Sequence, residues 1–440
     1  MMDLISYAND VIDTRRTDVP TNRVNLELSV VADDLAVVEA FSHSWVVRTA
    51  DGLVVFDASG EATGQAVVRA IRGWTDDPVH TVVYTHGHVD HVGGAGAFLA
   101  DAEAHGRPRP RFVGHTNVTG RFARYRDTNG YNTAINRRQF GPSRRRNAGA
   151  AVGFESAFLP TVTPDPDVTF ATEMTLEVGG EQFVLRHDRG ETDDHAWTEW
   201  VGRGVLFVGD MLIWNFPNCG NPQKVLRFPA EWAAALRKMA ALSPSLVAPA
   251  HGLPVSEAHR GELVLTSTAE ALEHLVREVI ESLNADGTME DAIHDIQVPD
   301  DVLALPWLRP FYDEPEFVVR NIWRTYGGWW DGNPARLLPA RQRDVAREVA
   351  ALAGGVAPLV ARSLALVEAG DTRLAGELIE MAALAAPNDR SVHEARSAVY
   401  AAKRLAATSL MAKGIFEAAA FQSAEAAGIE PPTFTRTRPL

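Results

Sequence analysis

Between Leu35 and Asp57, short Val-rich apolar runs alternate with polar breaks, and Asp51-Gly52 falls between two of them as a tight turn requires. This predicts a β-meander. A helical pattern follows near Gly64 to Trp74, then the apolar run Thr81 to Tyr84, a loop rich in His and Asp, and a Gly-rich entry into a helix over Gly94 to Asp101. Residues 102 to about 165 are less periodic: Gly, Pro, Asn and eight arginines between Arg121 and Arg146 interrupt a weak helical pattern, which reads as an inserted lid or substrate loop. Strand patterns return at Val168 to Val178, Glu181 to Arg186, Ala196 to Val201 and Val205 to Val208, with Gly179-Gly180 and Gly202-Arg203-Gly204 as turns. A helix from about Ala230 to Leu242, an apolar strand Leu246 to Ala248 and the loop Pro249 to Gly252 close this unit.

After about residue 260 strand patterns nearly vanish. Ala-, Leu- and Glu-rich segments with helical spacing take over, punctuated by Pro and Trp between Pro306 and Pro339, and each ends near Gly or Pro, as stacked helical hairpins do. The expected division is an N-terminal extension over 1–34, an α/β unit over 35–285, an all-α domain over 286–425 and a tail over 426–440.

The composition suits a folded chain: 440 residues, 46% apolar and 22% charged. Acids exceed bases by 57 − 42, a net charge of −15, which repels a phosphate backbone and argues against nucleic acid as partner. The single cysteine, Cys219, excludes an intrachain disulfide and suits a reducing cytoplasm, the expected location. Asp3, Asp10 and Asp13 interrupt the N-terminus where a signal peptide needs an apolar stretch, and no run of about 18 apolar residues predicts a membrane span.

The densest chemistry is Thr85-His86-Gly87-His88-Val89-Asp90-His91, placed directly after an apolar strand. Three imidazoles and a carboxylate so close repel and desolvate one another unless a cation uses them, and a borderline divalent ion such as zinc takes N and O donors well. His86 and His88 can address one ion from an extended loop, leaving Asp90 and His91 for a second position. Further donors are expected at later strand ends, and three stand there: Glu191 in a polar loop, Asp210 ending Val205 to Asp210, and His251 following Leu246 to Ala250. His195 and His187 compete with Glu191 on this reading.

This pattern resembles the metallo-β-lactamase superfamily, whose THxHxDH signature stands here as Thr85 to His91, and within it the alkylsulfatase branch. Gly190-Glu191-Thr192 is similar to that branch's Glu ligand, and Gly328 to Pro334 and Ala375 to Leu378 resemble its helical dimerisation domain. Asp210 stands where the branch carries a bridging Glu, Phe140 where a Tyr is expected, and Asn221-Pro222-Gln223-Lys224 where it carries a sulfate-holding Arg.

The resemblance implies an αββα sandwich followed by an all-α dimerisation domain, and a hydrolase with two zinc ions per chain. His86, His88 and Glu191 would hold the first ion, Asp90, His91 and His251 the second, with Asp210 between them; Asp90 and Asp210 are the candidate catalytic carboxylates. The implied substrate is an alkyl sulfate ester, and its negative charge calls for cationic donors, for which Lys224, Arg227, Arg137 and Arg138 are the candidates. A homodimer through the helical domain is the implied assembly. Hydrolysis of a lactone, thioester or phosphodiester on the same scaffold, and a non-catalytic assembly protein held together by metal, are the alternatives. Trp214 and Phe216 are read as an apolar channel or as core, and Cys219 as a free thiol.

Overall fold

The computed structural model describes residues 3–140 and 157–434. Thirteen strands form two sheets packed face to face. In the first, β1 (Leu28–Ala32), β2 (Leu35–Val38), β3 (Ser44–Thr49) and β4 (Gly52–Phe56) run antiparallel, and β5 (Val79–Val83), β6 (Arg111–His115) and β7 (Val168–Phe170) continue in parallel from β4. In the second, β8 (Glu173–Val178), β9 (Glu181–His187), β10 (Ala196–Trp200) and β11 (Val205–Gly209) are antiparallel; β12 (Leu246–Pro249) joins β11 in parallel, and β13 (Val255–Ser256) is the edge.

Strand β4 shows why the apolar runs lack alternation. Val54 and Phe56 face the second sheet, whereas Leu53 and Val55 face the outer helices, so both sides of the strand are buried. Between the sheets Phe56 stacks on Phe207 at 3.8 Å. Full burial of one such ring stabilises by about 1.5–3 kcal/mol.

Ahead of the first sheet lies α1 (Leu4–Thr14). The outer face of that sheet is covered by α2 (Glu61–Trp74), α4 (Ala95–Ala104) and α5 (Asn117–Asp127) through Val67, Ile71, Phe98 and Phe122; α3 (Val89–Val92) is one turn after the His-rich loop, and α6 (Asn129–Gln139) follows α5. Helices α7 (Pro229–Ala241) and α8 (Ala258–Asn284) cover the second sheet with Trp232, Leu236, Leu265 and Leu272. The αββα sandwich stands as expected.

Packing crosses the expected boundaries. Leu4, Ala8, Val11 and Ile12 of α1 lie in the main core, and β1 is a strand of the first sheet. The buried core also takes in residues past 285. After α9 (Met289–Asp295) come α10 (Asp300–Leu303) and α11 (Pro315–Tyr326), and Ile293 of α9, Trp307 between α10 and α11, and Val319 and Ile322 of α11 lie in the buried cluster that holds Trp214 and Trp232. The 102–165 stretch is less irregular than expected, since β6, α5 and α6 are regular elements; residues 141–156, with three of the eight arginines, lie outside the described residues. Past Ala427 the chain still packs, with Phe434 stacked on Phe421 and covered by Arg404.

Beyond α12 (Pro334–Leu337), helices α13 (Gln342–Leu352), α14 (Val356–Glu368), α15 (Thr372–Ala385) and α16 (Arg390–Ala406) share a separate core of Leu359, Leu366, Ile379, Val392 and Val399. Asp371, Asp389 and Ser409 cap α15, α16 and α17 (Leu410–Ala427) by accepting first-turn N–H bonds. Gly414 of α17 touches the end of α6; a Cβ there would stand 1.6 Å from the Gln139 carbonyl oxygen. Among the described residues no single helix is long and apolar enough to cross a membrane.

Candidate metal centre

All seven expected ligands converge at one end of the sandwich, because β5, β11 and β12 release their loops at the same sheet edges. His86, His88, Glu191 and Asp210 present donor atoms within 4.8 Å of one another, and Asp90, His91 and His251 form a second such set. Asp210 links them: Oδ2 lies 3.8 Å from His86 Nε2, while Oδ1 lies 3.3 Å from His91 Nε2 and 3.6 Å from His251 Nε2. Glu191 Oε2 is 3.0 Å from His88 Nδ1 and 3.5 Å from His86 Nε2; Asp90 Oδ2 is 3.4 Å from His251 Nε2.

The residues suit cations on physical grounds. His91 Nε2, Glu191 Oε2 and Asp210 Oδ1 are buried atoms with no directed hydrogen bond, and they are the very atoms that face the shared space. Leaving such polar atoms unpaired in a core is costly, and a divalent ion between N and O donors removes the cost. The charges agree. Burial would depress His91, but the Asp210, Asp57 and Asp90 carboxylates overcome it and raise the imidazole well above its ordinary value. Burial and the neighbouring His91 and His88 rings hold His86 well below it. Burial raises Asp210, partly offset by His91 and His251.

The ligands are held from behind by residues the sequence reading passed over. Asp57, at the end of β4 with φ +62°, accepts from Thr85 N and Thr85 Oγ1, each at 2.8 Å, and from His91 Nδ1 at 2.7 Å. That leaves His91 Nε2 free to face the shared space. Asp194 Oδ2 accepts from Gly87 N and from Arg121 Nε, both at 2.9 Å, so the loop bearing His86 and His88 is pinned to a buried ion pair. An acid directly after a strand was the available signal for Asp57; for Arg121, deep in the arginine-rich stretch, there was none.

His195 lies outside both donor sets: its Nε2 accepts from Asp210 N at 3.1 Å while its ring stacks 4.9 Å from that of His86. His187 bonds to the His195 carbonyl at 2.8 Å and stacks on His115. Of the three, only Glu191 falls in the donor set with His86, His88 and Asp210 among the described residues. Trp214 and Phe216 are fully buried core residues, and Cys219 is a buried free thiol.

The four cationic candidates part company. Lys224 is half-buried with its ammonium 5.4 Å from the Phe158 ring centre, and burial together with Arg227 lowers it to about 8. Arg227 is 3% exposed and turned onto Glu191, donating from Nη1 to Oε1 at 2.6 Å and to the backbone oxygen at 2.8 Å. Its guanidinium is paired with the Glu191 carboxylate, because a buried carboxylate attracts it more strongly than open solvent. Arg137 and Arg138 are exposed on α6 and line a separate cavity of about 770 Å³ with Arg396, Tyr400, Phe416 and Phe421; Arg138 donates to Gln223 Oε1 at 2.9 Å. Both point away from the ligands, since the inward face of α6 is taken by Asn132, Ile135, Asn136 and Gln139.

Residues 37–251 match the metallo-beta-lactamase superfamily, and residues 288–425 match the alkyl sulfatase dimerisation family. The chain carries a metallo-beta-lactamase superfamily domain followed by an alkyl sulfatase dimerisation domain. Among curated relatives of this two-domain chain, a linear primary-alkylsulfatase from a Pseudomonas species is 26% identical over 346 residues, covering 76% of this chain and 63% of that protein. An alkyl/aryl-sulfatase from Saccharomyces cerevisiae is 23% identical, covering 80% of this chain and 56% of its own length. The chain therefore spans less than two thirds of these relatives. The solved structure of the stereoselective inverting sec-alkylsulfatase Pisa1 from a Pseudomonas species shares the fold, with a TM-score of 0.79 at 18% identity over 96% of this chain and 68% of that one.

Proposed function

We propose that this metallo-beta-lactamase superfamily protein is a hydrolase that cleaves alkyl sulfate esters at a centre of two zinc ions. The observation that carries the reading is the pair of ligand sets joined through Asp210, with three buried donor atoms aimed into the space between them. The alkylsulfatase names of the relatives supply the substrate class. When bound, the ions supply Lewis acidity and a water ionised near neutral pH.

The chain's own residues do the remaining work. His86, His88 and Glu191 would hold the first ion and Asp90, His91 and His251 the second. Asp210 would serve both, its Oδ2 lying 3.8 Å from His86 Nε2 and its Oδ1 3.3 Å from His91 Nε2. Asp90, held well below the usual carboxylate range by His91 and His251 against the effect of burial, stays ionised as a donor for the second ion. Lys224 is the cation left to pair with a sulfate monoanion, because Arg227 is committed to Glu191 and the two α6 arginines point elsewhere. At neutral pH its ammonium is charged and can orient the ester, while Phe158 beneath it shields one side from water.

The dimerisation family supports a homodimer, and the exposed apolar residues of the helical part suit one: Leu338 is 91% and Leu352 90% exposed. The decisive experiment counts metals per purified chain and measures inorganic sulfate released from a mid-chain alkyl sulfate beside a lactone and a phosphodiester. Sulfate release that stops on chelation and returns with zinc is expected. Zinc-loaded protein that releases none, while hydrolysing another ester, assigns it to that other class.

A further inference from the structure

Glu191 is the ligand whose position owes least to its own backbone. It sits in a loop between β9 and β10, and its Oε1 is fixed from outside by Arg227 Nη1 at 2.6 Å and by Asn218 Nδ2. Both donors lie on the segment from Asn215 to Phe228, which runs between β11 and α7 without regular structure of its own. Whatever positions that segment positions the carboxylate.

The helical part of the chain does so. Asn321, 8% exposed on α11, closes a two-bond ring with the backbone of Arg227: Oδ1 accepts from Arg227 N at 3.3 Å, and Nδ2 donates to Arg227 O at 3.1 Å. The ring resembles one rung of a strand pair and fixes the direction in which the guanidinium leaves the backbone. Two further contacts hang the same segment on the same region. Asp313 Oδ2 accepts from Gly220 N at 2.6 Å, and Phe216 N donates to the Arg309 carbonyl at 3.0 Å. Gly220 packs so tightly on α11 that a Cβ would lie 2.2 Å from the Phe317 carbonyl carbon.

We propose that Asn321 is a positioning residue for the first cation: through the Arg227 backbone it sets the guanidinium that orients Glu191, so the α11 segment tunes metal binding at His86, His88 and Glu191 from beyond the two sheets. This rests on the two-cation reading above. The other three contacts hold the segment at Phe216 and Gly220, whereas Asn321 grips the backbone of Arg227, whose guanidinium reaches Glu191.

The test is a chelator titration of the zinc-loaded full chain, followed by elemental analysis, on the parent, Asn321→Ala, Asn321→Asp, Glu191→Gln and Asp90→Asn. The last two identify which release step belongs to which ion. Asn321→Ala is expected to weaken the step moved by Glu191→Gln by about 10–100-fold and to leave the other in place. Asn321→Asp, which keeps the acceptor and loses the donor, should shift the same step less. A merely structural role would move both steps together or only the thermal midpoint, and either result overturns the proposal, as does an unchanged titration. If Asn321→Ala does not fold, the Asp variant decides by the same criterion. A parent that binds no zinc refutes the two-cation reading itself, which separates the two failures.

Discussion

Replacing Arg227 by Met tests the buried pair on which the first ligand set leans. Arg227 and Glu191 are each 3% exposed and joined at 2.6 Å, so water can screen neither charge. In metal-free protein the substitution strands a buried carboxylate with Asn218 as its main remaining donor, and breaking such a pair from one side costs about 3–5 kcal/mol. With zinc loaded the ion balances the charge at Oε2, and what is lost is a charge-assisted hydrogen bond, roughly 1.5–3 kcal/mol. The predicted signature is a larger destabilisation in chelator than in zinc, read from denaturant unfolding at neutral pH. Adding Glu191→Gln in chelator should recover at least about 1 kcal/mol, because the stranded charge is removed. Acid sensitivity follows with a definite sign. Burial raises Glu191, but Arg227 foremost and then His88 bring it well below its ordinary 4.5. The pair therefore adds stability above the unfolded carboxylate range, and that stability is lost as pH falls through the depressed folded value. In Arg227→Met this acid limb should shrink. A loss under about 1 kcal/mol in chelator would refute the reasoning, since it would mean that solvent or relaxation already pays the electrostatic cost.

Three further outcomes are expected. Gly209→Ala should destabilise the fold and weaken zinc binding together, because φ is +53° and the new Cβ would meet Thr85 Cβ at 2.7 Å and His195 Nε2 at 2.9 Å; unchanged unfolding and zinc content would contradict this. Asp57→Asn should lower the affinity of the second ion by about 10–100-fold, by loosening His91 and Thr85 at once, with metal content under chelator as the measure. Lys224 is charged below about 8 and neutral above it, so the KM for an alkyl sulfate should rise as pH passes that value. Lys224→Arg should move the rise to higher pH and Lys224→Met should raise KM at every pH; a KM indifferent to both removes Lys224 from the pocket.

The ligands were legible because their chemistry is local. His86 to His91 crowd one loop, and Glu191, Asp210 and His251 each end or follow a strand, where polar side chains need a reason to stand. The cationic candidates were not legible in the same way. Lys224 and Arg227 lie three positions apart on one loop, yet one is half-buried over Phe158 and the other is locked on Glu191. Local pattern cannot tell them apart, because the carboxylate that decides the matter comes from a different loop. Asp57, Asp194 and Arg121 were passed over for the same reason: each acts through a partner 28 or more positions away.

Residue type and spacing alone thus determined a β-rich sandwich with a helical sequel and a metal-binding set of histidines and acids, because hydrophobic period and donor chemistry are properties of short stretches of chain. Only the tertiary structure decided that α1 and α9 to α11 share the sandwich core, that Asp210 divides its two oxygens between the ligand sets, and that Arg227 serves a ligand. Those outcomes depend on which distant groups burial forces together, and a buried charge takes whichever partner the packing brings within reach.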